Sequence, residues 1–116
     1  MGAGASVLLE QVLVSFSSDA VTNAGGTLAA TNSTFSNNAV ALVASDGASS
    51  ELGQCSFENN TVAIRATDVT VSASNNWWGD PSGPSGLAPG MGQPIEGTEG
   101  AVAYEPVLGE PPDSPR

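Results

Sequence analysis

Apolar residues recur at every second position in two units of the segment 1–78, which is typical of β-strands. Val40, Leu42 and Ala44 alternate in this way, and the segment 62–66 repeats the same pattern. A polar cluster stands before each segment, Ser36-Asn37-Asn38 in the first case. The pattern therefore predicts units of strand, turn and strand, and it predicts no helix.

The chain repeats when its aromatic residues are aligned. The aligned residues are Phe16, Phe35, Phe57 and Trp77, which recur at nearly equal intervals. An Asn or Asp stands three positions after each of them, which gives the column Asp19, Asn38, Asn60 and Asp80. Asn and Asp tolerate the left-handed backbone region, and stacked Asn side chains hydrogen-bond along a column. We predict that this column is a structural turn ladder.

A repeat of about 20 residues is short for helical repeats and suits a β-solenoid. The sequence therefore predicts an all-β fold, a short right-handed parallel β-helix of about four coils. The right hand follows from the general preference of parallel crossover connections. The predicted core is Leu28, Phe35, Val40, Leu42, Leu52, Phe57, Val62, Ile64 and Trp77.

Proline divides the chain into two parts. All eight prolines follow Gly79, and residues 79–116 also hold eight of the 14 glycines. Because proline cannot donate to a strand ladder, the proline-free part permits continuous pairing. We predict β-helix coils over 1–78. Over 79–116 we predict an irregular Gly/Pro-rich tail that packs on the last coil, with at most one short strand, around 101–104.

Two segments carry a resemblance to a known group. Residues 74–84 read SNNWWGDPSGP, and residues 102–108 read VAYEPVL. They resemble the C-terminal element of right-handed parallel β-helix repeat proteins of bacterial and archaeal secreted and surface type. Val107 departs from the aromatic residue usual at that position. The resemblance covers about residues 27–108 and implies an extracellular or cell-surface setting, but no single activity.

Composition excludes several classes of protein. Twelve acidic residues against two basic ones give a net charge of -10, which is opposite to the basic face that nucleic acids require. The same charge disfavours binding to anionic lipid surfaces. One cysteine excludes an internal disulfide, and the absence of histidine removes the commonest zinc ligand. Glu10 interrupts the apolar opening, which reads as neither a signal peptide nor a membrane span. That opening resembles the middle of a repeat, so we expect a fragment of a longer protein.

Strand alternation predicts that Trp78 points outward while Trp77 closes the core. An outward Trp78 is a candidate glycan contact, since its ring could stack on a sugar. The simpler interpretation is that the tail covers it, because the end of a solenoid is an open sheet edge.

Candidate catalytic and metal-binding patterns are weak. Asp46 and Asp68 could form a corner column, and Arg65 near Asp68 could be the remnant of a lyase site. A surface ion pair is the simpler role for Arg65. The Asn/Asp column could bind calcium, but a turn ladder explains it more simply. Cys55 is expected to face the core. The sequence thus predicts no catalytic, cofactor-binding or metal-binding residue and no cofactor. Ice binding, which needs a regular outward rank of threonines, stays a remote alternative, since the best column (Ser15, Thr34, Ser56 and Asn76) is irregular.

The sequence-based hypothesis is a non-enzymatic structural or adhesive β-helix module of a secreted or cell-surface protein. The alternative is the C-terminal fragment of a β-helix polysaccharide lyase or glycoside hydrolase whose catalytic coils are absent. The expected partner is a polysaccharide or cell-surface glycan. A second expected contact is end-to-end or edge pairing through the uncapped first coil, about Val7 to Asn23. Neither nucleic acid nor a membrane span is expected.

Overall fold

A computed structural model describes residues 6–15, 17–98 and 101–112. Its described residues form β-strands and turns without a helix. Strands β1 (Ser6–Glu10), β2 (Leu13–Ser15) and β3 (Asp19–Ala24) form coil 1. Strands β4 (Thr27–Thr31), β5 (Thr34–Ser36) and β6 (Val40–Ser45) form coil 2. Strands β7 (Ser49–Gly53), β8 (Ser56–Glu58) and β9 (Val62–Ala66) form coil 3.

Four further strands complete the fold. They are β10 (Val71–Ser72), β11 (Ser85–Gly86), β12 (Pro94–Gly97) and β13 (Val102–Ala103). The strands stack in three parallel sheets with the orders β1-β4-β7-β10-β13, β2-β5-β8 and β11-β12-β9-β6-β3. This is a parallel β-solenoid, as the sequence predicts. The described residues give three complete coils of three strands, and β10, Trp77 and β12 form an incomplete fourth.

The register between coils differs from the alignment of the aromatic residues. Val14 pairs with Phe35, and Phe35 pairs with Phe57. Val14, and not Phe16, is thus the coil 1 residue aligned with Phe35. Phe16 itself lies outside the described residues. The aromatic alignment is therefore wrong by two positions in coil 1, because it counts residue type and ignores which strand position faces inward.

The core is a column of stacked apolar layers. Eight of the nine predicted core residues are buried, namely Leu28, Phe35, Val40, Leu42, Leu52, Phe57, Val62 and Ile64. The Phe35 and Phe57 rings stack with centroids 5.4 Å apart, and Phe57 stacks on Trp78 at 4.7 Å. Stacked rings at such distances stabilise the fold by more than the burial of their apolar area alone.

Trp77 and Trp78 have the opposite orientations from those predicted. Trp78 is 0% exposed and ends the aromatic stack, whereas Trp77 is only partly buried. Trp77 forms a parallel bridge with Ser56, one residue before the position that faces the core. Because strand side chains alternate between faces, a one-residue change of register exchanges the roles of neighbouring tryptophans. Trp78 Nε1 is buried and has no hydrogen-bond partner among the described residues.

The segment after Gly79 is part of the solenoid. Strand β12 pairs with β9, and β13 pairs with β10, so the segment extends two of the three sheets. The predicted strand near 101–104 is present, and β11 and β12 are two more than the sequence predicts. Glycine allows this close return: a Cβ on Gly92 would overlap the carbonyl of Trp78, and one on Gly97 would overlap that of Ala66.

The two tryptophans give a direct test of the register. Trp78→Ala should lower the free energy of unfolding by about 3–5 kcal/mol, the usual effect of removing a large buried aromatic. Trp77→Ala should lower the free energy of unfolding by less than half of the Trp78→Ala loss, since the Trp77 side chain is partly exposed. Urea denaturation followed by circular dichroism measures both, and Trp78→Phe, which keeps a stacked ring, should lie between them. A greater loss for Trp77→Ala than for Trp78→Ala would contradict this register.

Candidate functional site

A ladder of buried amide side chains joins the coils at the corner after β5 and β8. Asn60 Oδ1 accepts hydrogen bonds from the backbone N–H of Asn38 at 3.0 Å and from Asn38 Nδ2 at 3.1 Å. Asn60 Nδ2 donates to the Phe35 carbonyl, and Asn38 Nδ2 donates to the Val14 carbonyl. Each amide thus satisfies backbone groups of the neighbouring coil that the strands leave unpaired, as buried polar groups require.

The ladder has one member at each end that the sequence did not predict. The backbone N–H of Ser17 donates to Asn38 Oδ1 at 2.9 Å. At the other end the backbone N–H of Asn60 donates to Gln93 Oε1 at 2.7 Å. Gln93 lies in the tail, well beyond one repeat length from Asn60, so no repeat spacing could have identified it.

Asp19 and Asp80, the other two residues predicted for this ladder, lie elsewhere. Asp19 begins β3, where it pairs with Val40 and is exposed. Asp80 accepts hydrogen bonds from the hydroxyl and the backbone N–H of Ser82. These bonds hold the pKa of the Asp80 carboxyl below its usual range. The structure therefore corrects the predicted column to Asn38 and Asn60, because the register differs from the aromatic alignment in the first and last units.

The left-handed turn positions are also displaced by one residue from the prediction. Asn37 and Asn59 have φ of 56°, whereas the neighbouring Asn38 and Asn60 are buried ladder residues. Asp46 and Asp68 have φ of 56° and 53° and lie at a second corner. In coils 2 and 3, therefore, one asparagine turns the chain and the next one links the coils.

A second inward amide lies in the tryptophan motif. Asn76 Oδ1 accepts from the backbone N–H of Cys55 at 2.9 Å, and its Nδ2 donates to the carbonyls of Leu52 and Ala73. Cys55 is fully buried, as predicted. Burial raises the pKa of the Cys55 thiol, and backbone hydrogen bonds with Ser33 and Gly53 lower it by less. A neutral, enclosed thiol is a structural group and a poor nucleophile.

Trp78 cannot be the glycan contact that the sequence suggested, because its side chain is enclosed in the core. The partly exposed ring is that of Trp77. It lines a cavity of about 280 Å³ together with Glu58, Asn59, Gly79 and Gln93. An aromatic ring, an acid and two amides thus meet at the surface where the tail joins coil 3.

Arg65 makes a surface ion pair, which is the simpler of its two predicted roles. Its guanidinium lies 2.9 Å from the carboxylate of Glu96, and the two side chains are 45% and 48% exposed. The neighbouring Asp68 contacts Thr98 through its backbone N–H and its carboxylate. Arg65 and Asp68, the two groups named for a lyase remnant, are thus both bonded to residues of the tail.

Other candidate sites are less distinctive. A second cavity of about 260 Å³ on the outer face of β4, β7 and β10 is lined by residues such as Ala29, Glu51 and Ser72, and it has no aromatic ring. Among the described residues no group of three or more Cys, Asp or Glu side chains is arranged to hold a metal ion. The same part of the chain contains no helix that could span a membrane.

No protein-family model, no curated protein and no solved structure matches this chain. Its function is therefore inferred from the geometry of the site and from the chemistry of its residues.

The ladder predicts a contrast between two adjacent asparagines. Asn60→Leu should lower the free energy of unfolding by about 2–4 kcal/mol, because it leaves the Asn38 N–H and the Phe35 carbonyl unsatisfied. Asn59→Gly should change it by less than about 0.5 kcal/mol, since glycine adopts the same left-handed φ without strain. Chemical denaturation of both variants measures the difference. Equal losses would mean that the Asn60 amide does not link the coils.

Proposed function

We propose that this chain is a non-enzymatic structural and adhesive module of a secreted or cell-surface protein, of the right-handed β-helix repeat type. The observation that carries the proposal is the continuity of the stack. The aromatic column ends on the enclosed Trp78, and the amide ladder ends on Gln93 of the tail. The tail residues Tyr104 and Val107 also pack against the core. Such a solenoid is a rigid support, and its outward side chains form extended surfaces of the kind that repeat proteins use for binding.

The extracellular setting rests on the resemblance of residues 74–84 and 102–108 to surface β-helix proteins. The net charge of the chain is compatible with an extracellular setting. A chain with net charge -10 and few cations stays soluble and resists nonspecific association with other acidic polymers. Adhesion would therefore depend on local contacts and not on a general electrostatic attraction.

The enzyme-fragment alternative receives no support from a specific observation. A lyase site needs an Arg or Lys side chain that is not held in an ion pair and that takes the proton in its uncharged form, beside acidic groups. A glycosidase needs two carboxylates across a cleft. Arg65 is instead paired with Glu96 on the surface. We therefore propose binding without bond cleavage.

The adhesive role predicts retention without turnover. The folded chain should co-sediment with insoluble polysaccharides or cell walls, and it should release no new reducing ends and no unsaturated uronates. The same chain in urea is the control, because adhesion by an organised surface should be lost with the fold. Release of oligosaccharides would contradict the non-enzymatic role, and absence of retention on every matrix would contradict the adhesive role.

We also propose an edge contact between copies through coil 1. Among the described residues, β1, β2 and β3 pair on one side only. Val7 and Val14 pair with fully buried Leu28 and Phe35 but are themselves only partly buried. Leu8 on the same coil is 62% exposed. Unpaired strand edges beside apolar side chains favour association.

The edge contact predicts association that depends on concentration. The double variant Leu8→Lys and Leu13→Lys should shift the chain toward the monomer, because it places positive charges where two identical edges would meet. Met91→Lys, at an exposed apolar residue of the tail, is the matched control and should not change the association. Sedimentation velocity over a range of concentrations measures both, and a monomeric wild type would refute the contact.

A further inference from the structure

We infer that the cavity beside Trp77, formed by Glu58, Asn59, Trp77, Gly79 and Gln93, binds a neutral sugar ring of a glycan chain. The inference rests on the proposed adhesive role and names its site and its ligand class. The cavity lies where three parts of the chain meet: the end of β8, the tryptophan motif and the residue before β12. It therefore exists only when the tail is docked.

The backbone that carries the Trp77 ring is held in place before any ligand arrives. Its backbone N–H donates to the Cys55 carbonyl at 2.8 Å, and its carbonyl accepts from the Phe57 N–H at 2.8 Å. The next residue, Trp78, is locked in the core by stacking on Phe57. A ring carried on an ordered backbone loses no backbone conformational entropy on binding, which favours affinity. Its partial exposure leaves a face for the C–H groups of a sugar.

Gln93 supplies a hydrogen-bond donor of known direction. Its Oε1 accepts from the Asn60 N–H, so the orientation of the amide is fixed by the ladder. Its Nε2 makes no hydrogen bond to another residue of the described chain, and it would lie 3.9 Å from a Cβ placed on Gly79. The absence of a side chain at Gly79 keeps the space beside this donor open.

The polar groups around the ring match sugar hydroxyls. An amide nitrogen such as Gln93 Nε2 is a donor, a carboxylate such as that of Glu58 is an acceptor, and the Asn59 amide has both kinds of group. Hydroxyl groups both donate and accept, and the carbon face of a sugar ring is apolar. A site with one ring and several convergent polar groups fits such a ligand better than it fits a peptide or a lipid chain.

Size and charge narrow the ligand class. At about 280 Å³ the cavity is just below the roughly 300–1,000 Å³ of sites that enclose drug-sized ligands, so it would accommodate one ring and leave the rest of a chain outside. Glu58 and the overall charge of -10 repel uronate polymers, whereas a neutral hexose or pentose unit carries no such penalty. Binding should therefore depend little on salt.

The experiment is calorimetric titration of the folded chain with neutral oligosaccharides from glucan, mannan and xylan, and with an oligogalacturonate. Trp77→Ala should weaken binding of the preferred neutral oligosaccharide by at least about tenfold, the equivalent of about 1.4 kcal/mol. Met91→Ala, at an exposed residue outside the cavity, should leave it within about twofold. Gln93→Glu keeps an acceptor for the Asn60 N–H but loses the Nε2 donor, and it should also weaken binding. Circular dichroism melts of each variant confirm that the fold is retained.

The outcomes separate this inference from the proposed function. Retention on a matrix that survives Trp77→Ala would overturn the site and leave the adhesive role intact. Stronger binding of oligogalacturonate than of neutral oligosaccharides would overturn the ligand class. If Trp77→Ala instead abolishes self-association and leaves sugar binding unchanged, the surface is a protein contact and the inference is wrong. Loss of sugar binding confined to Trp77→Ala and Gln93→Glu would support it.

Discussion

The parallel, in-register pairing between coils is the constraint on which the rest of this structure depends. Each strand of coils 1 and 2 finds its backbone partner one coil further along the chain, so inward side chains stack in columns whether or not they are alike. At the corners the strands end, and backbone groups would be left buried and unpaired. Asn38, Asn60 and Asn76 satisfy them with side-chain amides. The apolar core and the amide ladders are therefore two consequences of the same stacking.

The Gly/Pro-rich tail is a structural part of the solenoid as well as its cover. It contributes β12 and β13 to two sheets and supplies Gln93 as the last acceptor of the ladder. The step from β9 to its partner β12 is longer than the step between earlier coils, and the added residues include Ala88, which packs against the core. Gln93, at the end of these residues, also lines the cavity beside Trp77. One side chain thus both closes the amide ladder and forms part of the proposed binding surface.

The pattern of hydrophobic residues predicted most of the core because burial follows from period-two alternation. Leu42 and Ile64, for example, stand at same-face positions of this alternation, and both are buried. The candidate site was less predictable. The motif at 74–80 contains Trp77 and Gly79, which line the cavity, yet the sequence assigned the core role to Trp77 and the surface role to Trp78. Nothing in the sequence pattern identified Gln93, because its hydrogen bond with Asn60 does not follow the repeat spacing.

The sequence by itself determined the class of fold, the stacked core and the use of asparagine to join coils, because these follow from local alternation and from the chemistry of the side chains. Only the tertiary structure decided which tryptophan is buried, which residues turn the chain and which close the ladder. The physical reason is register. A shift of one residue leaves the composition and the spacing almost unchanged, but it exchanges the inner and outer faces of a strand, and only the pairing with neighbouring coils selects between the two.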